Sequence, residues 1–347
     1  MSRRPLRVGL VGVGVMGSDH AERLAGRTAG VALVAVADAD SERAAALAHR
    51  LDAVVHDDPL ALVASPDVDA VVIASPGSVH EEQVGACLEH GKPVLCEKPL
   101  TMDDESSLRL VEAEAALGRR LVTVGFMRRF DPEYVAVKEA LSSGAHGRLL
   151  LLHHVHRNRS VPNADFRSEM IVRDSLVHEV DASRFLFGEE VVEVTVLAPA
   201  PTAHAGPGVL DPQVAVFRMA GGGLVTTEVF VNSQVGYEVR FEAVAECGSL
   251  SAGLASNGVL VTRATGDGGT WGGAVPADYR SRFARAYDLE VQAWADAAHA
   301  GRAVGPSAWD GYAATAVSTA GMESLRSGGT PVAVPLPAPP ALYAENH

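Results

Sequence analysis

Apolar and polar positions follow two different rhythms along this chain, and the change between them falls near Gly125. In the first part, short continuous apolar runs alternate with longer stretches of helical period. The apolar runs predict strands at Arg7–Val11, Val31–Ala37, Ala70–Ala74, Pro93–Cys96 and Leu121–Gly125. Between them, helices are expected at Met16–Ala25, Ser41–Arg50, Val79–His90 and Asp104–Leu117, with Ser41 as the N-cap of the second. Strands that are apolar throughout, each followed by a helix, imply a parallel sheet covered on both faces.

Beyond Phe126 the strands lengthen and follow one another directly. Leu149–His156, Val191–Ala198, Val214–Met219, Gly223–Val231 and Val239–Ala245 predict a large, mostly antiparallel open sheet. One helix, Ser175–Phe187, is interposed and ended by Gly188. Gly266–Gly273 is expected to be a loop, Ser281–Ala300 an amphipathic helix, Trp309–Ser327 a last helix, and the Pro-rich stretch from Pro331 irregular. The expected fold class is thus α/β. A Rossmann-type parallel-sheet domain over residues 1–125 precedes an α+β domain over residues 126–347.

Composition narrows the function classes. Of the 347 residues 47% are hydrophobic and 21% charged, ordinary for a globular chain with ample core. A formal net charge of −14 repels phosphate backbones and anionic lipid, so neither nucleic acid nor a membrane is an expected partner. No apolar run approaches the roughly 20 residues needed to span a bilayer. Ser2-Arg3-Arg4-Pro5-Leu6 resembles the start of a twin-arginine export signal. The apolar stretch behind it is broken by Gly9, Gly12, Gly14 and Gly17, so a strand and loop are expected there instead of a leader. Cys87, Cys96 and Cys247 are odd in number and widely spaced, which predicts reduced thiols in a cytoplasm and neither disulfide framework nor structural zinc.

Gly12-Val13-Gly14-Val15-Met16-Gly17 matches G-x-G-x-x-G between the first strand and first helix. Glycines there let the backbone turn tightly and approach a pyrophosphate resting on a helix N-terminus. A Rossmann-like loop without nucleotide would show the same pattern. Asp38 follows Gly17 by 21 residues, where a carboxylate accepts ribose hydroxyls and repels a 2′-phosphate. Asp40 adds to that repulsion and no arginine follows before Arg43, so NAD is preferred over NADP.

Glu97-Lys98-Pro99 stands at the carboxyl end of a strand, where ligands bind in open parallel sheets. An ammonium there can stabilise negative charge on an alcohol oxygen; a surface lysine at a strand end fits the spacing as well. Asp174 and His178, four apart, share a helix face, so the carboxylate can orient the imidazole as a general base. The same spacing also describes a plain helix-surface pair. His178-Glu179 is no zinc-protease motif, since Ala182 stands where the second histidine would be. In His153-His154-Val155-His156 the strand period turns His154 and His156 one way and His153 the other, which favours His156 facing a polar pocket and no metal.

These words together resemble the glucose–fructose oxidoreductase/inositol dehydrogenase family over nearly the whole chain. The glycine loop, Asp38-Ala39, Ser75-Pro76 with His80, and Glu97-Lys98-Pro99 match the family at large. Gly125-Phe126-Met127-Arg128-Arg129-Phe130-Asp131-Pro132, His156-Arg157-Asn158, the run from Asp174 to Asp181, and Gly236-Tyr237-Glu238 resemble its inositol branch. The resemblance implies NAD as cofactor, bound by Gly12 through Gly17, Asp38, Ala39, Ser75, Pro76, His80, Glu97 and Lys98. It implies a catalytic set of Lys98, Asp174 and His178. It also implies contacts to a cyclitol or sugar at Met127, Arg128, His156, Asn158, Ser175, Tyr237 and, more loosely, Tyr279. The implied reaction is oxidation of a ring hydroxyl of myo-inositol to the ketone. Other inositols, an aminocyclitol precursor or an aldose are alternatives within the same chemistry. A non-catalytic NAD-sensing regulator and a glycosidase with permanently bound NAD are alternatives outside it. The family also implies a homotetramer formed through the open sheet face. The loop Ser160-Val161-Pro162-Asn163-Ala164-Asp165 lies where the family varies and is expected to affect which polyol fits.

Overall fold

A computed structural model describes residues 4–161, 165–253, 276 and 278–346; the expected loop Gly266–Gly273 and positions 162–164 of the variable loop lie outside the described residues. The chain divides into two compact units. One comprises Met1–Phe130, Arg285–Ala316 and Leu336–His347; the other comprises Asp131–Ala284 and Val317–Pro335. The expected division into 1–125 and 126–347 therefore differs from the spatial one, because two later segments return to the first unit.

In the first unit, β1 (Leu6–Val11), β2 (Val31–Ala37), β3 (Val54–Val55), β4 (Ala70–Ile73), β5 (Val94–Cys96) and β6 (Val122–Val124) form a sheet of order β3-β2-β1-β4-β5-β6. Every pair in it is parallel. The strand order reverses between β1 and β4, the position at which open parallel sheets bind ligands. One face buries Leu10, Val36, Val72 and Leu95 against Val291, Trp294, Ala295 and Ala298. Those last four recur at helical spacing within Tyr279–Ala298, which explains why that helix joins the first unit from Arg285 onward. Near the end of the chain, Tyr343 donates to the buried Glu114 carboxylate at 2.6 Å.

The second helix, α2 (Ser41–Leu51), begins one residue earlier than Ser41 predicts. Asp40 is its N-cap, accepting from Arg43 N at 3.0 Å while Asp40 itself is extended. Two short helices escaped the periodicity but carry local signals. Pro59–Ala64 and Pro132–Ser142 each start with proline behind an aspartate cap, Asp58 and Asp131.

The second unit's sheet contains β7 (Leu149–Arg157), β8 (Val191–Leu197), β9 (Gln213–Met219), β10 (Leu224–Phe230), β11 (Glu238–Ala245), β12 (Gly248–Ala252) and β13 (Val332–Ala333). Their order is β12-β11-β7-β10-β9-β8-β13. All neighbours are antiparallel except β7 and β10. That parallel pair arises because the first strand of the unit lies in the middle, between two runs of hairpins. On β7 the side chains of Leu152, His154 and His156 are buried while His153 is exposed. The Pro-rich tail is not wholly irregular, since β13 pairs Val332 with Val194.

The interposed helix starts earlier than Ser175 and is not uniform. A turn at Ser168–Met170 runs into a π-helical segment, Ile171–Leu176, and then into an α-helix, Val177–Phe187. Gly188 ends it in the left-handed conformation (φ 71°).

Candidate active site

In the first unit the glycines of the loop behind β1 have distinct jobs. Gly12 has φ +86°, and a Cβ on it would collide with the Ser75 backbone. A Cβ on Gly17 would collide with the Gly12 carbonyl. Gly14 faces open space, leaving an approach for a bulky anion. Helix α1 (Val15–Gly26) follows with no side-chain cap and no acidic residue in its first turn, so its own first turn leaves the positive end open to an anion.

A cavity of about 660 Å³ opens beside this loop, lined among others by Gly12, Gly14, Asp38, Ala39, Ser75 and Pro76. The Asp38 carboxylate forms its floor. Oδ2 accepts from Val13 N at 2.6 Å; Oδ1 accepts from Asp40 N and from the Arg43 guanidinium, each at 2.8 Å. Burial pushes this carboxyl up, but the Arg43 and backbone donors outweigh it and hold it below its ordinary value. The cradle, the uncapped helix end and the floor carboxylate together fit a dinucleotide.

Other residues expected to touch a cofactor are placed differently. Val13 is buried and contributes its N–H to Asp38; Val15 is 65% exposed. His80 is buried, with Nδ1 and Nε2 each 2.9 Å from a carbonyl oxygen, those of Pro99 and Ser75. It therefore ties the strand end at Ser75 to the Lys98-Pro99 turn. Burial lowers its pKa, opposed by the two carbonyl oxygens. Glu97 is also buried; its Oε1 meets His20 Nε2 at 2.8 Å and its Oε2 accepts from Lys98 N at 3.3 Å. Burial raises the Glu97 pKa, but His20 and Lys98 outweigh it and the net shift is downward. His20 and Gln83 escaped the sequence reading: His20 stands three residues beyond Gly17, and Gln83 Oε1 accepts from Ser75 Oγ at 2.6 Å. Lys98 stands just past the carboxyl end of β5 and is joined to Pro99 by a cis peptide, and Met127 and Arg128 are buried in a short turn of the same unit.

The second unit gathers most of the remaining candidates. The ring centroids of His156 and His178 are 6.5 Å apart, and Tyr237 meets His156 edge-on at 5.9 Å. Glu179, fully buried, engages His156 Nδ1 at 3.1 Å. That carboxylate was not expected, since Glu179 and His156 are 23 residues apart. Asp174, expected as the partner of His178, is gripped in two-pronged fashion by Arg173, Nε to Oδ1 at 2.7 Å and Nη2 to Oδ2 at 2.8 Å. Asp174 and Ser175 belong to the π-helical segment and His178 to the α-helix that continues it. Asn158 is held by its backbone, donating to Phe230 O and accepting from Ser233. Tyr279 opens the helix Tyr279–Ala298 with the Arg280 guanidinium 5.5 Å from its ring centroid. Among the described residues, no group of three or more His, Cys, Asp or Glu side chains is placed to hold a metal ion. No helix among them is long and apolar enough to cross a membrane.

Residues 6–126 match the model of an oxidoreductase family with an NAD-binding Rossmann fold, and residues 134–251 match the GFO/IDH/MocA C-terminal domain. The chain is 53% identical to inositol 2-dehydrogenase 4 of Saccharopolyspora erythraea over 346 residues, 99% of this chain and 100% of the relative. It is 52% identical to inositol 2-dehydrogenase of Mycolicibacterium smegmatis, covering 95% and 96% of the two chains. The crystal structure of myo-inositol dehydrogenase from Lactobacillus casei, in complex with NAD(H) and myo-inositol, superposes with a TM-score of 0.90 at 34% identity, covering 98% of this chain and 99% of that one.

Proposed function

Since the chain belongs to the GFO/IDH/MocA oxidoreductase family, with its NAD-binding Rossmann fold, we propose that it oxidises a ring hydroxyl of myo-inositol to the ketone. The observation that carries the assignment is the pairing of a glycine cradle floored by Asp38 with a His156–Glu179–His178–Tyr237 cluster in a chain about half identical to inositol 2-dehydrogenases.

When bound, NAD supplies the hydride acceptor. The chain's own residues deal with the proton and the hydroxyls. His178 takes the proton of the reacting hydroxyl as general base, and Asp174, steadied by Arg173, is the acidic partner of the set. The Lys98 ammonium stabilises charge on the same oxygen as it becomes a carbonyl. The Glu179 carboxylate, 3.1 Å from His156 Nδ1, orients that imidazole toward its proposed contact with the polyol. Met127, Arg128, Asn158, Ser175, Tyr237 and Tyr279 complete the proposed contacts to the polyol.

The assay is NADH formation with a panel of cyclitols and aldoses. Turnover highest with myo-inositol is the expected result; no turnover with any polyol at alkaline pH overturns the proposal. The homotetramer is supported by the partly exposed outer face of the second sheet, where Val214 and Leu197 are 36% and 47% exposed. A cytoplasmic setting is supported by three cysteines that are all free thiols.

A further inference from the structure

The cavity that holds Asp38 also holds a guanidinium. Arg43, in the first turn of α2, lines the same 660 Å³ space and is half exposed. Its Nη2 donates to Asp38 Oδ1 at 2.8 Å, and its Nε is 4.0 Å from Asp40 Oδ2. The contact with Asp38 is the closer, and Asp40 is itself engaged in capping α2 through Arg43 N. The Asp38 carboxylate therefore does two things at one place. It presents negative charge where the adenosine ribose is read, and it restrains the one arginine of the cavity lining.

We propose that Arg43 is a latent 2′-phosphate ligand, held out of use by Asp38, and that this ion pair sets the preference for NAD over NADP. A guanidinium is planar, permanently charged and matched to phosphate oxygens. Neutralising Asp38 removes the repulsion and releases Arg43 in a single step, so the gain in NADP affinity has two separable parts. Simple repulsion predicts a gain independent of position 43; a released ligand predicts a gain that needs the arginine. The inference rests on the dinucleotide reading of the cavity and not on which polyol is oxidised.

The test is direct titration of the full-length protein with NADH and NADPH, followed by nucleotide fluorescence with no polyol present. The chains compared are wild type, Asp38→Asn, Arg43→Ala and the double variant. Asparagine keeps an oxygen to accept from Val13 N, and Asp38→Ser is run beside it. Asp38→Asn should bind NADPH about tenfold tighter or more than wild type, and the double variant should lose about tenfold of that, the scale of a hydrogen bond to a charged group. NADPH binding that is equal in the single and double variants overturns the proposal, as does the absence of any gain. Asp38 also receives the ribose hydroxyls, so NADH affinity falls in both Asp38 variants, and the quantity that decides is NADPH affinity with and without Arg43. Failure of wild type to bind NADH would instead strike the dinucleotide reading itself.

Discussion

The nucleotide cavity of the first unit and the histidine cluster of the second are built from different materials. The cavity rests on a backbone cradle, the absent side chains of Gly12 and Gly14 and the end of α1, beside the Asp38 and Arg43 side chains. The cluster is made of side chains delivered by separate elements, His156 from β7, Tyr237 from the approach to β11, and Glu179 and His178 from the long helix. A backbone site tolerates little added volume and is spoiled for binding. A side-chain site can be emptied while its scaffold stands, and is spoiled for chemistry.

That contrast makes crosswise predictions. The largest effect belongs to His178→Ala and Lys98→Ala, expected to lower kcat by about 10³-fold or more with NADH affinity nearly unchanged. Steady-state rates and NADH titration check it, and loss of affinity in step with rate would erase the contrast. Gly12→Ala should act in the opposite sense. Its Cβ would collide with the Ser75 backbone at positive φ, so NADH affinity should fall by about tenfold to a hundredfold, the cost of an overpacked site. Glu179→Gln sharpens the comparison within the cluster. With His156 no longer facing a carboxylate, kcat/KM for the polyol should drop about tenfold, mostly through KM, and the pH profile should shift while NADH binding holds. An unchanged pH profile and KM would reduce Glu179 to packing.

The smallest effect concerns stability at the amino-terminal end of the first sheet's two central strands, β1 and β4. Arg7 donates to Asp69 at 2.8 and 3.1 Å and holds its carboxyl below the ordinary value. A carboxyl depressed in the folded state stabilises above its unfolded pKa, and that contribution is lost as pH falls through the folded value. Asp69→Asn should therefore cost about 1 kcal/mol or less at neutral pH, the pair being partly exposed, with the difference vanishing in acid. Urea denaturation at neutral and acid pH measures it. An undiminished difference in acid would mean that the charge is not the cause.

The same contrast explains what the sequence could disclose. The glycine loop and Asp38 are close in sequence and obey spacing rules, so the nucleotide site could be located from residues alone. The grip of Arg43 on Asp38 could not, because it depends on where the first turn of α2 points. His20 meeting Glu97, 77 positions away, is likewise a product of the folded sheet. In the second unit the alternation along β7 correctly separates His153 from His154 and His156. Only the family resemblance drew Tyr237 and His178 into one set with His156. The π-helical segment carries no spacing signal of its own, so the sequence did not show that the helix begins before Ser175.

Trp294 and its neighbours complete the hydrophobic core of a sheet whose strands all lie before residue 125. An excised N-terminal fragment ending near Phe130 would be a wound with its dressing removed, exposing Leu10, Val36 and Val72 to water. Ribosomal synthesis delivers that dressing only after β7 to β12 of the second unit. The nucleotide fold must therefore stay unfinished until the segment around Trp294 has emerged.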